Sequence, residues 1–350
     1  MNCKIYSKGC IQLISYSLYL ITGCCFAQNN SEAMALYNEG RYIKAIAAFT
    51  VLIKANKHDT TAYIYRGLSK EQLKDYSGAR KDFTKISKLY PNDAGPHFKL
   101  GVLWAETNDL YHSIKEYTKA IMLDSLYAVA YNNRGNSEYL LGDATSAMRD
   151  FTAAVWADTT YPDPLYNRGH LKMTLNDYQG AIDDFSKAID LLPSDADSWF
   201  SRAQAFDAIN DTLAALNDYS NVIYLDSTNT DAYYYRGCNR FKVRDNEGAA
   251  ADFSVVLAGD SNLYYVRYLR GNAYDSLGRY EEAVNDFSEA ISLKPDYVSS
   301  YFGRGYAYLK EGDKAKACTD FNVARYYRIQ GVEKYVDEYC MPRRNNPNGR

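Results

Sequence analysis

A period of 34 residues constrains this chain of 350 residues more than any other feature. Steps of 34 from Gly67 reach Gly101, Gly135, Gly169, Ala203, Gly237, Gly271 and Gly305, and one step back reaches Ala33. Twelve residues after each of these positions runs a second row of small side chains: Ala45, Ala79, Ser113, Ala147, Ala181, Ala215, Ala249, Ala283 and Ala317. Four residues later comes an aromatic row: Phe49, Phe83, Tyr117, Phe151, Phe185, Tyr219, Phe253, Phe287 and Phe321. No residue is inserted or lost between copies. A chain of this length suits either a few ordinary domains or one long array, and the unbroken phase decides for the array.

Each copy spells two helices. In the eighth, Asn272 to Leu277 belongs to the first, Gly278 and Arg279 turn the chain, and Glu281 to Leu293 forms the second, which Pro295 ends. Ala283, Val284, Phe287, Ala290 and Ile291 recur at helical spacing, without strand alternation. Pro91 and Pro193 close their units at the same place; Asp124-Ser125, Asp158-Thr159 and Asp226-Ser227 do so elsewhere, and these Asp, Ser and Thr side chains are expected to cap the next helix. Asp143, Asp177 and Asp211 read as caps at the turn between the two helices. The small rows have a mechanical meaning: helices approach closely only where side chains are short, and the aromatic row fills the gap beside them.

This pattern resembles the tetratricopeptide repeat family, over residues from about 30 to 331. The resemblance implies an all-α fold: a right-handed superhelical solenoid of nine helix-turn-helix repeats, the first helix of each lining a concave groove. The expected units are about 26–59, 60–93, 94–127, 128–161, 162–195, 196–229, 230–263, 264–297 and 298–331, with the mature array starting at 28. A capping helix is expected over 332–340, where Val332, Tyr335, Val336 and Tyr339 form an apolar face, followed by a disordered tail over 341–350. The family's early aromatic appears as Tyr63, Tyr131, Trp199, Tyr233 and Tyr301, and gives way to His97, Leu165 and Arg267 elsewhere.

One departure from the family pattern is an arginine before the glycine row: Arg66, Arg134, Arg168, Arg202, Arg236, Arg270 and Arg304. Each is matched in the second helix of its unit by an aspartate: Asp82, Asp150, Asp184, Asp218, Asp252, Asp286 and Asp320. The unit with Leu100 has Glu116 instead, so both members change together. In a hairpin the two positions face each other, which points to a ladder of ion pairs that fixes helix register. The other reading sends the guanidiniums out to solvent.

The first 27 residues read as a secretory signal: Lys4 and Lys8, an uncharged apolar stretch from Ile11 to Phe26, and small residues at Cys25 and Ala27 before a cut at Gln28. Ile21-Thr22-Gly23-Cys24 also resembles a bacterial lipobox, which would place a lipid on Cys24; an uncleaved anchor is the third alternative. The expected location is the periplasm or cell envelope, with membrane contact only through a lipidated Cys24 or an uncleaved signal. Of seven cysteines, only Cys238, Cys318 and Cys340 lie beyond the signal. Cys318 and Cys340 are equidistant from a turn near Ile329; they either bridge or serve as small apolar fillers.

The net charge of −3 gives no support for nucleic-acid binding. His58, His97, His112 and His170 fall in no metal motif, no phosphate loop or nucleophile elbow occurs, and the carboxylates recur in phase with the repeat. No cofactor, metal or catalytic residue is expected, and function is expected to reside in surface. The first-helix face carries Asn132, Tyr166, Phe200, Tyr234 and Tyr268 in one row, Asn136, His170, Gln204 and Asn272 in the next, and Tyr139, Asp207 and Asp275 in a third. Rings with interleaved amides suit an extended peptide, so a protein or peptide ligand is the leading expectation. A carbohydrate ligand on the same tyrosine-rich face is the alternative, and simple packing between units is the competing role for the rings. The family's lysine–asparagine clamp for a terminal carboxylate is not carried over, because Asn132 and Asn136 have no matching lysine row.

Overall fold

The computed structural model describes residues 30–341. The signal, Cys24 and the tail from Pro342 lie outside the described residues. Among those described, every regular element is helical. They divide into two compact units at Leu171 and Lys172, and each unit is taken by itself.

The first unit holds α1 (30–38), α2 (Tyr42–Ala55), α3 (Thr60–Gln72), α4 (Tyr76–Leu89), α5 (Ala94–Ala105), α6 (Leu110–Leu123), α7 (Ala128–Leu140), α8 (Ala144–Ala157) and most of α9 (Asp163–Thr174). The second holds α10 (Tyr178–Leu191), α11 (Ala196–Ala208), α12 (Thr212–Leu225), α13 (Thr230–Lys242), α14 (Asn246–Gly259), α15 (Tyr264–Ser276), α16 (Tyr280–Leu293), α17 (Ser299–Glu311), α18 (Lys314–Tyr326) and the short α19 (Val332–Tyr335). Within each unit consecutive helices pack as hairpins: α5 with α6, α7 with α8, α13 with α14, α15 with α16.

The small rows set how close the helices come. A Cβ added at Gly271 would lie 2.8 Å from the Phe287 ring, and one at Gly101 would lie 2.5 Å from Tyr117. The alanine row is fully buried, and where Ser113 replaces alanine its hydroxyl lies 3.3 Å from that of Ser137. The aromatic row is buried throughout, each ring contributing roughly 2–3 kcal/mol of apolar burial. Between the two helices of a hairpin the chain passes through a left-handed residue, such as Gly142 (φ 85°) or Gly278 (φ 75°), where glycine carries no Cβ penalty. Where the next residue is an aspartate it caps the second helix: Asp143 accepts from Ser146 N at 3.0 Å, Asp177 from Gly180 N at 3.0 Å and Asp211 from Ala214 N at 3.2 Å, whereas Arg279 after Gly278 makes no such cap.

The aspartates between hairpins act differently from the sequence expectation. Asp124, Asp158 and Asp226 accept from Leu126 N (3.0 Å), Thr160 N (2.8 Å) and Thr228 N (2.9 Å), two residues on. They fold their own loop and stop short of the next helix; Asn229 caps α13, and α7 starts without a side-chain cap.

The arginines lie in the hairpins, mostly covered. Arg202 donates from Nε and Nη2 to the two carboxylate oxygens of Asp218 at 2.7 and 2.9 Å, and Arg134, Arg236, Arg270 and Arg304 grip Asp150, Asp252, Asp286 and Asp320 in the same two-pronged way. Arg66 does so with Asp82 at 3.0 and 2.5 Å. The third guanidinium edge reaches the preceding hairpin: Arg202 Nη1 donates to Ser186 Oγ at 2.9 Å, Arg134 to Thr118 at 3.0 Å, Arg168 to Thr152 at 3.1 Å and Arg270 to Ser254 at 3.0 Å. Those hydroxyls donate to backbone carbonyls one turn earlier, Ser186 to Ile182 and Ser254 to Ala250, which leaves a lone pair for the guanidinium. The early aromatic stacks on the same group, with Arg202 4.9 Å from the Trp199 ring centre and Arg236 5.4 Å from that of Tyr233. Asp184 lies in the second unit, buried, with Lys172 Nζ 2.8 Å away. In the hairpin with Leu100, Glu116 takes His97 Nδ1 and Lys119 Nζ, both at 2.6 Å.

Beyond α18, Val332 and Val336 are buried against Ala317, Phe321 and Ala324, and the Tyr335 ring packs on Phe302, Phe321 and Tyr306. The segment is α-helical only to Tyr335; Val336–Cys340 widens into a π-turn, and Cys340 is disulfide-bonded to Cys318 with their Cα atoms 5.4 Å apart.

Two outcomes follow for stability. Burial pushes the Asp218 carboxyl up although Arg202 grips it, so the pair specifies register more than it adds net stability. Asp218→Ala should therefore cost about 3 kcal/mol by stranding the guanidinium, and the double change Arg202→Met, Asp218→Leu should recover most of it in denaturant unfolding. An unaltered unfolding curve for Asp218→Ala would count against the ladder. The second outcome concerns Glu138, which stands one turn after Arg134 where other hairpins place a cation on the aspartate: Lys70 (2.7 Å), Lys172 (2.8 Å) and Arg240 (2.9 Å). Its Oε2 is buried without a hydrogen-bond partner, and burial, then the Asp150 charge, pushes the carboxyl up to about 7. With the folded value above the unfolded one, the folded state holds the extra proton. Stability from this group is thus complete in acid and falls as pH rises from about 4.5 to about 7. Glu138→Gln should match the wild type near pH 4.5 and melt higher above pH 7, a widening gap that paired melting curves across pH 4 to 8 will show.

Candidate interaction face

In the first unit, two cavities open on the first-helix face. One, of about 280 Å³, is lined by Ile64, Leu68, Phe83, Phe98 and Tyr127, with Asp93 and Lys99 also on its wall. The other, of about 300 Å³, is lined by Asn136, Tyr139, Phe151, Tyr166, Asn167 and His170. The two differ in chemistry. The first is mainly aliphatic and aromatic, so it suits an apolar side chain; the second mixes rings with carboxamides and an imidazole. Tyr139 is 43% exposed at the second cavity, and the Tyr166 and His170 rings meet edge to face at 4.5 Å.

The wall of this second cavity is held by a hydrogen-bond chain. Asn132 Oδ1 accepts from Asn167 Nδ2 at 2.9 Å, and Asn132 Nδ2 donates to the Tyr161 hydroxyl at 3.3 Å. Burial, with the nearby Asp163 charge, raises the Tyr161 hydroxyl above the ordinary tyrosine range, so it stays protonated.

In the second unit, a cavity of about 440 Å³ is lined by Thr230, Asp231, Tyr234, Tyr235, Leu263 and Tyr265. The Tyr234 ring lies 5.8 Å from that of Tyr265, and burial pushes its hydroxyl up to about 12. The remaining rings of that row pack inward. Phe200 meets Tyr219 at 5.6 Å, and Tyr268 meets Phe287 at 5.9 Å and Tyr297 at 5.3 Å.

Tetratricopeptide-repeat family models match residues 30–94, 162–195 and 271–312, three separate stretches of the chain. The chain is a tetratricopeptide-repeat protein. Among solved structures it is similar to the C-terminal part of a repeat-containing protein from Cytophaga hutchinsonii, at 23% identity and a TM-score of 0.57, covering 71% of this chain and 99% of that one. It is also similar to pilF of Pseudomonas aeruginosa, at 21% identity and a TM-score of 0.51, covering 58% of this chain and 92% of that one. At these identities the likeness concerns the fold.

Within the tetratricopeptide frame, the residues singled out from the sequence separate by what they touch. Asn136, Tyr139, Tyr166 and His170 come together on one cavity, and Tyr234 lines another. Phe200 and Tyr268 serve largely as packing, while Gln204 and Asn272 are half-buried. Asn132 is a correction: it is only 3% exposed, and its amide is occupied in holding Asn167, so it orders the cavity wall and does not face a ligand. Tyr161 and Asn167 are the residues the period hides. Tyr161 sits in the loop before α9, and neither belongs to a recurring row.

Asp207 and Asp275, at the same register two periods apart, differ sharply. Asp207 Oδ2 accepts from the Tyr219 hydroxyl at 2.9 Å and from Asn239 Nδ2 at 3.0 Å, and Lys242 Nζ lies 3.4 Å from Oδ1. Asp275 has its Oδ1 buried with no hydrogen-bond partner. Asn132→Ala should lower stability by about 1–2 kcal/mol, by stranding the Asn167 and Tyr161 partners, and should free the Asn167 side chain. Thermal melting together with side-chain amide NMR of Asn167 checks it; an amide signal as sharp and shifted as in the wild type would show that Asn132 does not hold the wall.

Proposed function

We propose that this tetratricopeptide-repeat protein is a non-enzymatic scaffold, exported to the cell envelope, that binds an extended peptide or a segment of a partner protein along its first-helix face. The observation that carries the reading is the cavity of about 300 Å³ where Asn136, Tyr139, Tyr166 and His170 converge. Tyrosine supplies rigid contact area at low entropic cost, and a carboxamide satisfies a peptide's N–H and C=O at once. The aliphatic cavity at Ile64, Leu68 and Phe98 offers the same ligand a second, apolar anchor in the first unit. Export is supported by the leader pattern of the first 27 residues and by the Cys318–Cys340 disulfide, a bond that persists in oxidising compartments.

The test is selection from a random peptide display library on the purified mature chain, with binding of the selected peptides measured by titration. Asn136→Ala combined with Tyr139→Ala should weaken selected peptides by roughly tenfold or more, since an interface tyrosine contributes about 1–2 kcal/mol. Selected peptides that bind the double variant unchanged would overturn the assignment of this cavity. Failure to select any peptide, alongside a reproducible hit on a glycan array, would move the function to carbohydrate.

A further inference from the structure

The third row of the first-helix face carries an acid at three places, and the acids are not equivalent. Glu71 in α3 also has a buried oxygen without a hydrogen bond, its Oε2, but Lys99 Nζ lies 3.8 Å from that atom as an ion-pair partner. Asp207 in α11 is held by Tyr219, Asn239 and Lys242. Asp275 in α15 occupies the place of Asp207 two periods on, and its potential partners have been replaced one by one. Where Tyr219 offers a hydroxyl, Phe287 offers none; where Asn239 offers an amide, Ala307 offers none. Lys310 stands where Lys242 does, but its ammonium lies over the Tyr306 ring, 5.1 Å from the centre, and acts on Asp275 only through its field.

One oxygen of Asp275 is consequently buried with no hydrogen bond, while the side chain as a whole is only half-buried. A carboxylate deprived of water on one side and of donors on both is a costly arrangement that a cation can offset. We propose that Asp275 is the receptor on this face for a positively charged group of the bound chain, a lysine or arginine side chain. The inference rests on the peptide-binding reading above and adds the chemistry of one ligand position to it. Burial pushes the Asp275 carboxyl up to about 6, which still leaves it mainly ionised at neutral pH and available to a cation. Asn272 stands one turn before Asp275 on the same helix, half-buried, so a carboxamide on the neighbouring row is available to the donors of such a side chain.

The experiment is a positional-scanning library of acetylated, amidated dodecapeptides, each pool fixed at one position, bound to the wild-type chain and to three variants. The wild type should favour lysine or arginine over norleucine by about fivefold or more at one position. Asp275→Asn should abolish that preference and leave the others. Phe287→Tyr, which offers Asp275 the hydroxyl that Tyr219 offers Asp207, should weaken it without removing the acid. Asp207→Asn should leave it intact. A basic preference that survives Asp275→Asn, or a wild type that selects at other positions but never for a base, overturns the assignment of Asp275 while the groove reading stands. A wild type that discriminates at no position overturns the groove reading, and this inference with it.

Discussion

A guanidinium recurring from hairpin to hairpin, absent only from those with Leu100 and Glu32, sets the register on which the rest of the structure depends. Apolar contact between a phenylalanine and a glycine brings two helices close, but it is non-directional and tolerates rotation or a slide. A planar guanidinium with donors on fixed edges does not. Arg202 spends two donors on Asp218 in its own hairpin and a third on Ser186 in the preceding one, with its face on Trp199. The same residue therefore fixes the pairing within a hairpin and the offset to its neighbour. Small rows decide how near the helices lie; the arginine decides where along each other they stop.

That division explains what could be seen in the sequence. Glycine, alanine, aromatic, arginine and aspartate rows are legible because each serves the same contact in successive hairpins and so returns in phase. The Ser/Thr row of Thr118, Thr152, Ser186, Ser220 and Ser254 returns in phase as well, yet its role escapes sequence reasoning, since a hydroxyl on a helix reads as ordinary surface until the arginine is seen to reach it. The loop aspartates mislead for a different reason. Asp124, Asp158 and Asp226 have the composition of helix caps, but they sit too far ahead of the next helix and close on the N–H two residues away. Asn132 looked available to a ligand because its row lies on the first-helix face; Tyr161, in a loop outside every row, and Asn167 together occupy it.

Positions that break the period are where individual chemistry collects. His97 and Glu116 replace the arginine pair in one hairpin; Glu138 reverses the charge found at Lys70 and Arg240; Asp275 keeps the acid of Asp207 but none of its donors. A recurring carboxylate answers a recurring structural need. A carboxylate whose partners have been removed answers to something outside the repeat.

The geometry of a hairpin makes this separation possible. Asp207, Phe241 and Asp275 share one register, as Glu71 and Tyr139 do in the first unit, whereas the aromatic row below them never departs from Phe or Tyr. Packing against glycine restricts the aromatic row to a ring, because a ring is the shape that fills the gap. The row above lies outside the glycine contact and is only partly buried, and it carries acid, ring and aliphatic side chains in hairpins of the same backbone. Within one unit, a ligand laid along that face would meet a different side chain in each hairpin, and specificity would be set by substitution at single positions with little cost to the fold.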